Sequence, residues 1–223
     1  PSLALRNNLP VVAFQENNNV YVRRWSGTAW VNVSNNALET TLANDALTPS
    51  LAIETTSNLP VVAYAENGNI LVKRADGVVS SSSWLSPYGT TPLDNTASNE
   101  TFRPSLALKS DNNPIVAWYE DAGTSFNIYA KEWNGSAWVA LGTTAIDKTA
   151  TRDAKDIVLA IRSDGRPVVA WEEAGNIYVK RWTGTSWVSL GGVLDEVSAN
   201  EALRPAIDLR TDNNPVVTWQ EWN

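Results

Sequence analysis

The sequence predicts an all-β chain: a β-propeller of about five blades, each of four antiparallel strands, with the last blade incomplete. Three observations predict it. A motif of the form Pro-Ser-Leu-Ala-Leu followed by Pro-Val-Val-Ala-aromatic recurs from end to end, starting at Pro1, Pro49, Pro104, Ile157 and Pro205. The spacing of 48 to 55 residues matches one propeller blade and exceeds a leucine-rich or ankyrin unit. The strands within each unit are apolar on both faces, which suits sheets covered on both sides by neighbouring blades. No amphipathic helical stretch of useful length interrupts the pattern. The chain therefore reads as one domain, 1–223, with repeats 1–48, 49–103, 104–156 and 157–204 and a partial unit 205–223.

The fourth unit displays the elements most clearly. Strand A is expected over Val158 to Ile161 and strand B over Val168 to Trp171, after a Ser-Asp-Gly-Arg-Pro turn. Strand C follows over Ile177 to Trp182 and strand D over Trp187 to Leu190. Proline at the head of strand B is tolerated because a first residue need not donate to the ladder. The connections Glu173-Ala-Gly-Asn176 and Glu66-Asn-Gly-Asn69 read as two-residue hairpins, the second with the Asn-Gly pair that favours a type I′ turn. Register follows, with Trp171 opposite Tyr178, Val169 opposite Lys180 and Ala170 opposite Val179. The C–D turn repeats as Trp25-Ser-Gly-Thr-Ala-Trp30, Trp133-Asn-Gly-Ser-Ala-Trp138 and Trp182-Thr-Gly-Thr-Ser-Trp187. These six indoles read mainly as hairpin clamps. The second unit departs from the pattern, with Ala75 in place of the first Trp and a Ser-rich insertion before Trp84.

Composition closes several functional classes. There are 17 Lys and Arg against 24 Asp and Glu, a net charge of −7, so the chain would repel a phosphate backbone and nucleic acid is not an expected partner. No apolar run reaches the roughly 18 residues of a spanning helix, and membrane insertion is not expected. The chain has no Cys, His or Met. That removes thiolate and imidazole metal ligands, histidine bases and thiol nucleophiles, and leaves carboxylate chemistry as the open catalytic route. A Met-free chain beginning at Pro1 reads as a processed or partial piece.

The Trp-x-Gly-x-x-Trp turn after a Tyr-containing strand resembles the blade signature of bacterial and fungal lectin propellers. Its Gly-x-x-Trp end resembles the Asp-box of sialidase-type propellers, although Trp25, Trp133 and Trp182 stand where the Asp would be. The likeness runs the length of the chain in short repeats. It implies a secreted or surface-exposed bacterial propeller that binds carbohydrate, or adheres, without catalysis. A structural or protein-interaction module of a larger surface protein or filament is the alternative, and a sialidase-type glycosidase the second alternative. The last would imply an arginine triad, a tyrosine nucleophile with its glutamate, and an aspartic acid. Of these, Phe102-Arg103-Pro104 echoes one arginine motif.

Antiparallel order puts the B–C hairpins and the D-to-A crossings at one end of every blade, and this end collects the candidate ligand-binding residues. Strand B ends in aromatic-x-Glu in all five units, giving Glu16, Glu66, Glu120, Glu173 and Glu221. Strand C opens with Asn19, Asn69, Asn127 and Asn176, and Arg103 and Arg204 stand just before strand A. The crossings carry two acids at fixed spacing: Glu39 and Asp45, Asp94 and Glu100, Asp147 and Asp153, Asp195 and Glu201. Two readings are open. The acids and amides cap turns and bond backbone amides, or they form a ring of inter-blade clefts that would meet sugar hydroxyls or Ca²⁺. Near-identical copies argue against a catalytic pair, which needs two different environments. The fifth unit lacks strands C and D. Its edge is expected to pair with residues upstream of Pro1 or with another chain.

Overall fold

The computed structural model describes residues 1–34, 37–38, 45–77, 83–96, 99–196 and 200–222. Blade 1 comprises β1 (Ser2–Arg6), β2 (Leu9–Glu16), β3 (Asn19–Trp25) and β4 (Trp30–Asn32). Blade 2 comprises β5 (Ala46–Ile53), β6 (Pro60–Glu66), β7 (Asn69–Ala75) and β8 (Trp84–Leu85). Blade 3 comprises β9 (Thr101–Leu108), β10 (Pro114–Asp121), β11 (Phe126–Trp133) and β12 (Trp138–Ala140). Blade 4 comprises β13 (Ala154–Ile161), β14 (Pro167–Glu173), β15 (Asn176–Trp182) and β16 (Trp187–Ser189), and the partial blade 5 comprises β17 (Glu201–Leu209) and β18 (Pro215–Trp222). Each of the first four is an antiparallel meander in chain order.

Blade packing accounts for strands that are apolar on both faces. In the fully buried β6, Val62 and Tyr64 pack with blade 1, while Val61, Ala63 and Ala65 pack with blade 3. The register is as the two-residue hairpins dictate, with Trp171 opposite Tyr178, Val169 opposite Lys180 and Glu173 opposite Asn176. Asn67 and Gly68, like Ala174 and Gly175, take the paired positive φ angles of a type I′ turn. The tryptophan clamps form cross-strand pairs, with centroids 5.7 Å apart for Trp25 and Trp30 and 5.4 Å apart for Trp182 and Trp187.

Strand A differs from the expectation in one respect. It begins earlier, at Ala154 rather than Val158 in blade 4, and carries a β-bulge. Thr48, Arg103, Asp156 and Arg204 occupy equivalent bulge positions with φ of 48°, 44°, 50° and 52°. Arg103 and Arg204 therefore lie within strand A rather than in the crossing before it. A bulge puts two residues against one and re-aims the strand, and here all four positions line a central channel of about 470 Å³. The Ser of the repeated Pro-Ser-Leu motif then joins consecutive blades. Ser2 Oγ accepts from the amide of Leu51 at 3.0 Å, Ser50 Oγ from Leu106 at 2.9 Å and Ser105 Oγ from Leu159 at 3.0 Å. In blade 4 the position is Val158, which has no oxygen to offer.

Blade 5 packs on blade 4 through Ile207, Leu209 and Val217. Among the described residues β18 pairs with β17 alone, and β1 with β2 alone, so the far edge of β18 is unpaired. The two blade faces that flank this gap are exposed: Leu3 at 65% on one side, Val216 at 49% and Trp222 at 55% on the other.

Candidate ligand-binding site

The strand-end glutamates sit where antiparallel order puts them, and in blades 2 to 5 their carboxylates are bonded within the protein. Glu120 is fully buried. It accepts from the amides of Asn95 at 2.7 Å and Thr96 at 2.9 Å, from Asn99 Nδ2 at 3.1 Å, and from the indole of Trp118 at 3.2 Å. Glu173 accepts from the amide of Lys148 at 2.7 Å and the indole of Trp171 at 3.1 Å. Glu66 accepts from Tyr64 Oη at 3.3 Å, and Glu221 from the indole of Trp219 at 3.3 Å and Asn200 Nδ2 at 3.4 Å. The aromatic-x-Glu motif thus has a mechanical basis. Two residues apart on a strand share a face, so the aromatic donor fixes the carboxylate, and in Glu120 and Glu173 the carboxylate grips the incoming crossing. Glu16 follows Phe14, which has no polar atom, and is exposed at the gap.

The amides close the hairpins. Asn19 Nδ2 donates to Asn17 O at 2.9 Å, Asn69 Nδ2 to Asn67 O at 2.8 Å and Asn176 Nδ2 to Ala174 O at 2.9 Å. Asn127 Oδ1 instead accepts from Ser125 Oγ at 3.5 Å. The first acid of each crossing extends the ladder beyond strand C: Asp94 accepts from the amide of Ile70 at 3.0 Å, Asp147 from Ile128 at 2.8 Å and Asp195 from Ile177 at 2.9 Å. Glu39 lies outside the described residues. Burial pushes the Asp94 and Asp147 carboxyls above the usual carboxylate range, and it pushes the Lys131 and Lys180 ammonium groups down. Those lysines lie over Trp118 and Trp171, 5.7 Å and 5.5 Å from the ring centroids, and bond crossing carbonyls. Among the described residues no three acids converge as a metal site would require.

Arg103 and Arg204 are separated from this machinery by the bulge. Both line the channel, where Arg103 forms an ion pair with Asp156 of the next blade. Asp156 is the one acid among the described residues lining that channel.

A second cavity, of about 260 Å³, opens between blades 1 and 2 at the opposite end, where the A–B and C–D turns lie. Its apolar wall includes Val11, Leu59 and Pro60, and its polar groups come from Arg6, Arg24 and Asn32 beside the half-buried ring of Trp25. Ala75 creates the space. At the equivalent position in blades 3 and 4, Trp133 packs edge-on against Tyr88 and Trp182 packs against Trp187. The two clefts that follow are closed by those rings, together with Trp138 and Trp187 donating to Tyr88 O at 2.9 Å and Leu141 O at 2.6 Å. Sequence reasoning missed this cleft. Its signal was the Trp-to-Ala break in the second unit, taken together with Arg6 standing where the next repeat has Glu54.

No protein-family model matches the sequence, and no curated protein matches it. Solved structures do resemble the fold. An endo-arabinase from Bacteroides thetaiotaomicron aligns with 98% of this chain and 87% of its own, at TM-score 0.55 and 10% identity. The Aleuria aurantia lectin in complex with Fucα1-6GlcNAc aligns over 98% of this chain and 70% of its own, at TM-score 0.60 and 16% identity. A protein of unknown function from Dyadobacter fermentans reaches TM-score 0.65 at 11% identity, over 98% of this chain and 73% of its own. The chain is a β-propeller. At such identities the likeness speaks for the fold alone.

Proposed function

We propose that this chain is a carbohydrate-binding propeller, acting outside the cell as a secreted or surface-exposed module, which binds without catalysing. The observation that carries the reading is the cleft between blades 1 and 2. An aromatic ring in a concave wall, flanked by guanidinium and amide donors, suits the mixed C–H and hydroxyl faces of a sugar. The propellers of similar fold include a lectin holding a fucosylated disaccharide and a family-43 glycoside hydrolase, which supports a sugar ligand.

Two features favour binding over hydrolysis. Glycoside hydrolysis typically uses two carboxyl groups flanking the scissile bond, whereas the described lining of the channel offers Asp156 alone, tied to Arg103. The Tyr–Glu pair that a sialidase-type mechanism calls for has two counterparts among the described residues, Tyr64 donating to Glu66 at 3.3 Å, where Tyr64 is fully buried, and Tyr88 donating to Glu54 at 3.2 Å. Tyr88 is buried, and burial pushes its phenol up, so the phenolate nucleophile is disfavoured.

A second reading, a protein-interaction module, rests on a different observation: the unpaired edge of β18 beside exposed Val216 and Trp222. A glycan-array screen of the chain beside an Ala75→Trp variant separates the two. The variant restores the residue other blades carry and fills the cleft. Binding by the chain that the variant loses supports the carbohydrate reading. Binding that survives moves the site elsewhere, and no binding across the array favours the interaction module.

A further inference from the structure

The cleft between blades 1 and 2 departs from the other blades in charge as well as in space. Each of blades 1 to 4 carries two equivalent positions near this end, one four residues after the bulge-side Ser or Val of strand A and one on strand C. In blade 2 they are Glu54 and Arg74, which form an ion pair at 3.4 Å. In blade 3 they are Lys109 and Glu132, paired at 3.9 Å. The strand-C member is fixed by register, since Arg24 lies opposite Val11, Arg74 opposite Val61 and Glu132 opposite Ile115. In blade 1 both positions are arginine, Arg6 and Arg24.

Neither arginine has an ion-pair partner among the described residues, and no acid lines the cleft. Blade 4 also carries two arginines there, Arg162 and Arg181, but Asp164 meets Arg162 at 3.5 Å. Two half-buried guanidinium groups without a counter-charge among the described residues keep their donors available to an anion that enters the cleft. The guanidinium fork matches carboxylate and sulfate oxygens in pairs. The space that Ala75 leaves beside Trp25 has room for a sugar ring.

We infer that the cleft selects glycans bearing an acidic group, a carboxylate or a sulfate ester, with Arg6 and Arg24 gripping the anion and Trp25 lining the ring. This rests on the carbohydrate reading above and narrows it. The selectivity belongs to blade 1 alone, because pairing within blades 2 and 3 consumes the corresponding charges.

The test is an array on which each uronate-, sialate- or sulfate-bearing glycan stands beside its neutral parent, followed by calorimetric titration of the best pair in low and high salt. The chain is expected to favour the acidic member at least tenfold, with the preference shrinking as salt rises. Arg6→Glu rebuilds in blade 1 the pairing seen between Glu54 and Arg74. It is expected to keep the wild-type melting temperature and to lose the acidic preference. Arg24→Gln reports the same loss without reversing a charge. The carboxylate and sulfate arms tell which anion is read. Equal affinity for acidic and neutral members, abolished by Ala75→Trp, overturns the acidic selectivity and leaves the carbohydrate reading standing. Unchanged preference in Arg6→Glu and Arg24→Gln overturns the assignment to these arginines. No binding to either class overturns both.

Discussion

Removing the carboxylate of Glu120 is expected to destabilise the whole propeller, because that group anchors a crossing from inside the protein. Glu120 is fully buried and accepts from two backbone amides, one side-chain amide and one indole, at 2.7 to 3.2 Å. A hydrogen bond to a charged group contributes about 1.5–3 kcal/mol, and a buried donor left without a partner costs about 1–3 kcal/mol. Asn95 and Thr96 are themselves exposed, so in Glu120→Ala their amides recover part of the loss from water, and the losses overlap rather than add. About 3–5 kcal/mol is the expected cost, which in a chain of this size lowers the melting temperature by about 6–20 °C. Glu16→Ala is the internal comparison: the residue is the repeat equivalent, yet exposed, and its loss should stay within about 0.5 kcal/mol. Near-ultraviolet circular dichroism melts of both variants, with urea unfolding at one temperature, give the two numbers. A Glu120→Ala variant that melts within a degree or two of the parent, or a Glu16→Ala variant that falls as far, refutes the anchoring role.

Three further outcomes follow from the same geometry. Asp147, whose carboxyl burial raises, takes up its proton in the folded state before the unfolded one as pH falls, so its charge costs stability at neutral pH and that cost fades toward the ordinary carboxylate range. Asp147→Asn keeps an oxygen for the amide of Ile128, and relative to the parent it should be more stable at pH 7 than at about pH 4.5; urea midpoints that change in the opposite sense would contradict this. Ser105→Ala strips the acceptor from the amide of Leu159 between blades 3 and 4 and should cost about 1 kcal/mol in chemical denaturation. Val216→Lys places a charge on the exposed face of β18 and should leave stability within about 0.5 kcal/mol of the parent; a larger loss in chemical denaturation would mean that this face is covered.

The parts of the fold legible in the sequence are those set by local chemistry. Two-residue turns of the Asn-Gly and Ala-Gly kind impose register, so the opposition of Trp171 and Tyr178 follows from the position of Glu173 and Asn176. Apolar residues on both faces of a short strand leave little choice but burial between neighbours, as in β6. The bulge was not legible, because a left-handed backbone is signalled by glycine or asparagine, and these four positions hold Thr48, Arg103, Asp156 and Arg204. Its consequence was a shift of Arg103 and Arg204 from the crossings to the channel. The strand-end glutamates were located correctly along the chain, but a carboxylate that caps amides and one that meets a ligand look alike until the partners are seen. For Glu120 and Glu173 the partners are the amides of the crossing. The cleft between blades 1 and 2 was the least legible feature. It joins side chains from β1, β3 and the blade beyond, and it depends on an indole that Ala75 does not have.

In a repeat protein this difference between copies carries the functional information. A residue type kept at every equivalent position answers to a demand that every blade shares, and the demands found here are mechanical: the serine between blades, the aromatic beside its glutamate, the amide in the hairpin. Except at Glu16, which is exposed beside the apolar Phe14, each is met by a partner inside the chain. The breaks lack such partners. Where Glu54 and Arg74 satisfy one another, Arg6 and Arg24 cannot, and where Trp133 fills a cleft, Ala75 leaves it open. Val158, which cannot make the serine link to the next blade, marks a second break, between blades 4 and 5. The first break makes a charged hollow and the second removes one link between blades, so junctions of near-identical blades differ in what they leave unsatisfied while the shared mechanical demands are met elsewhere.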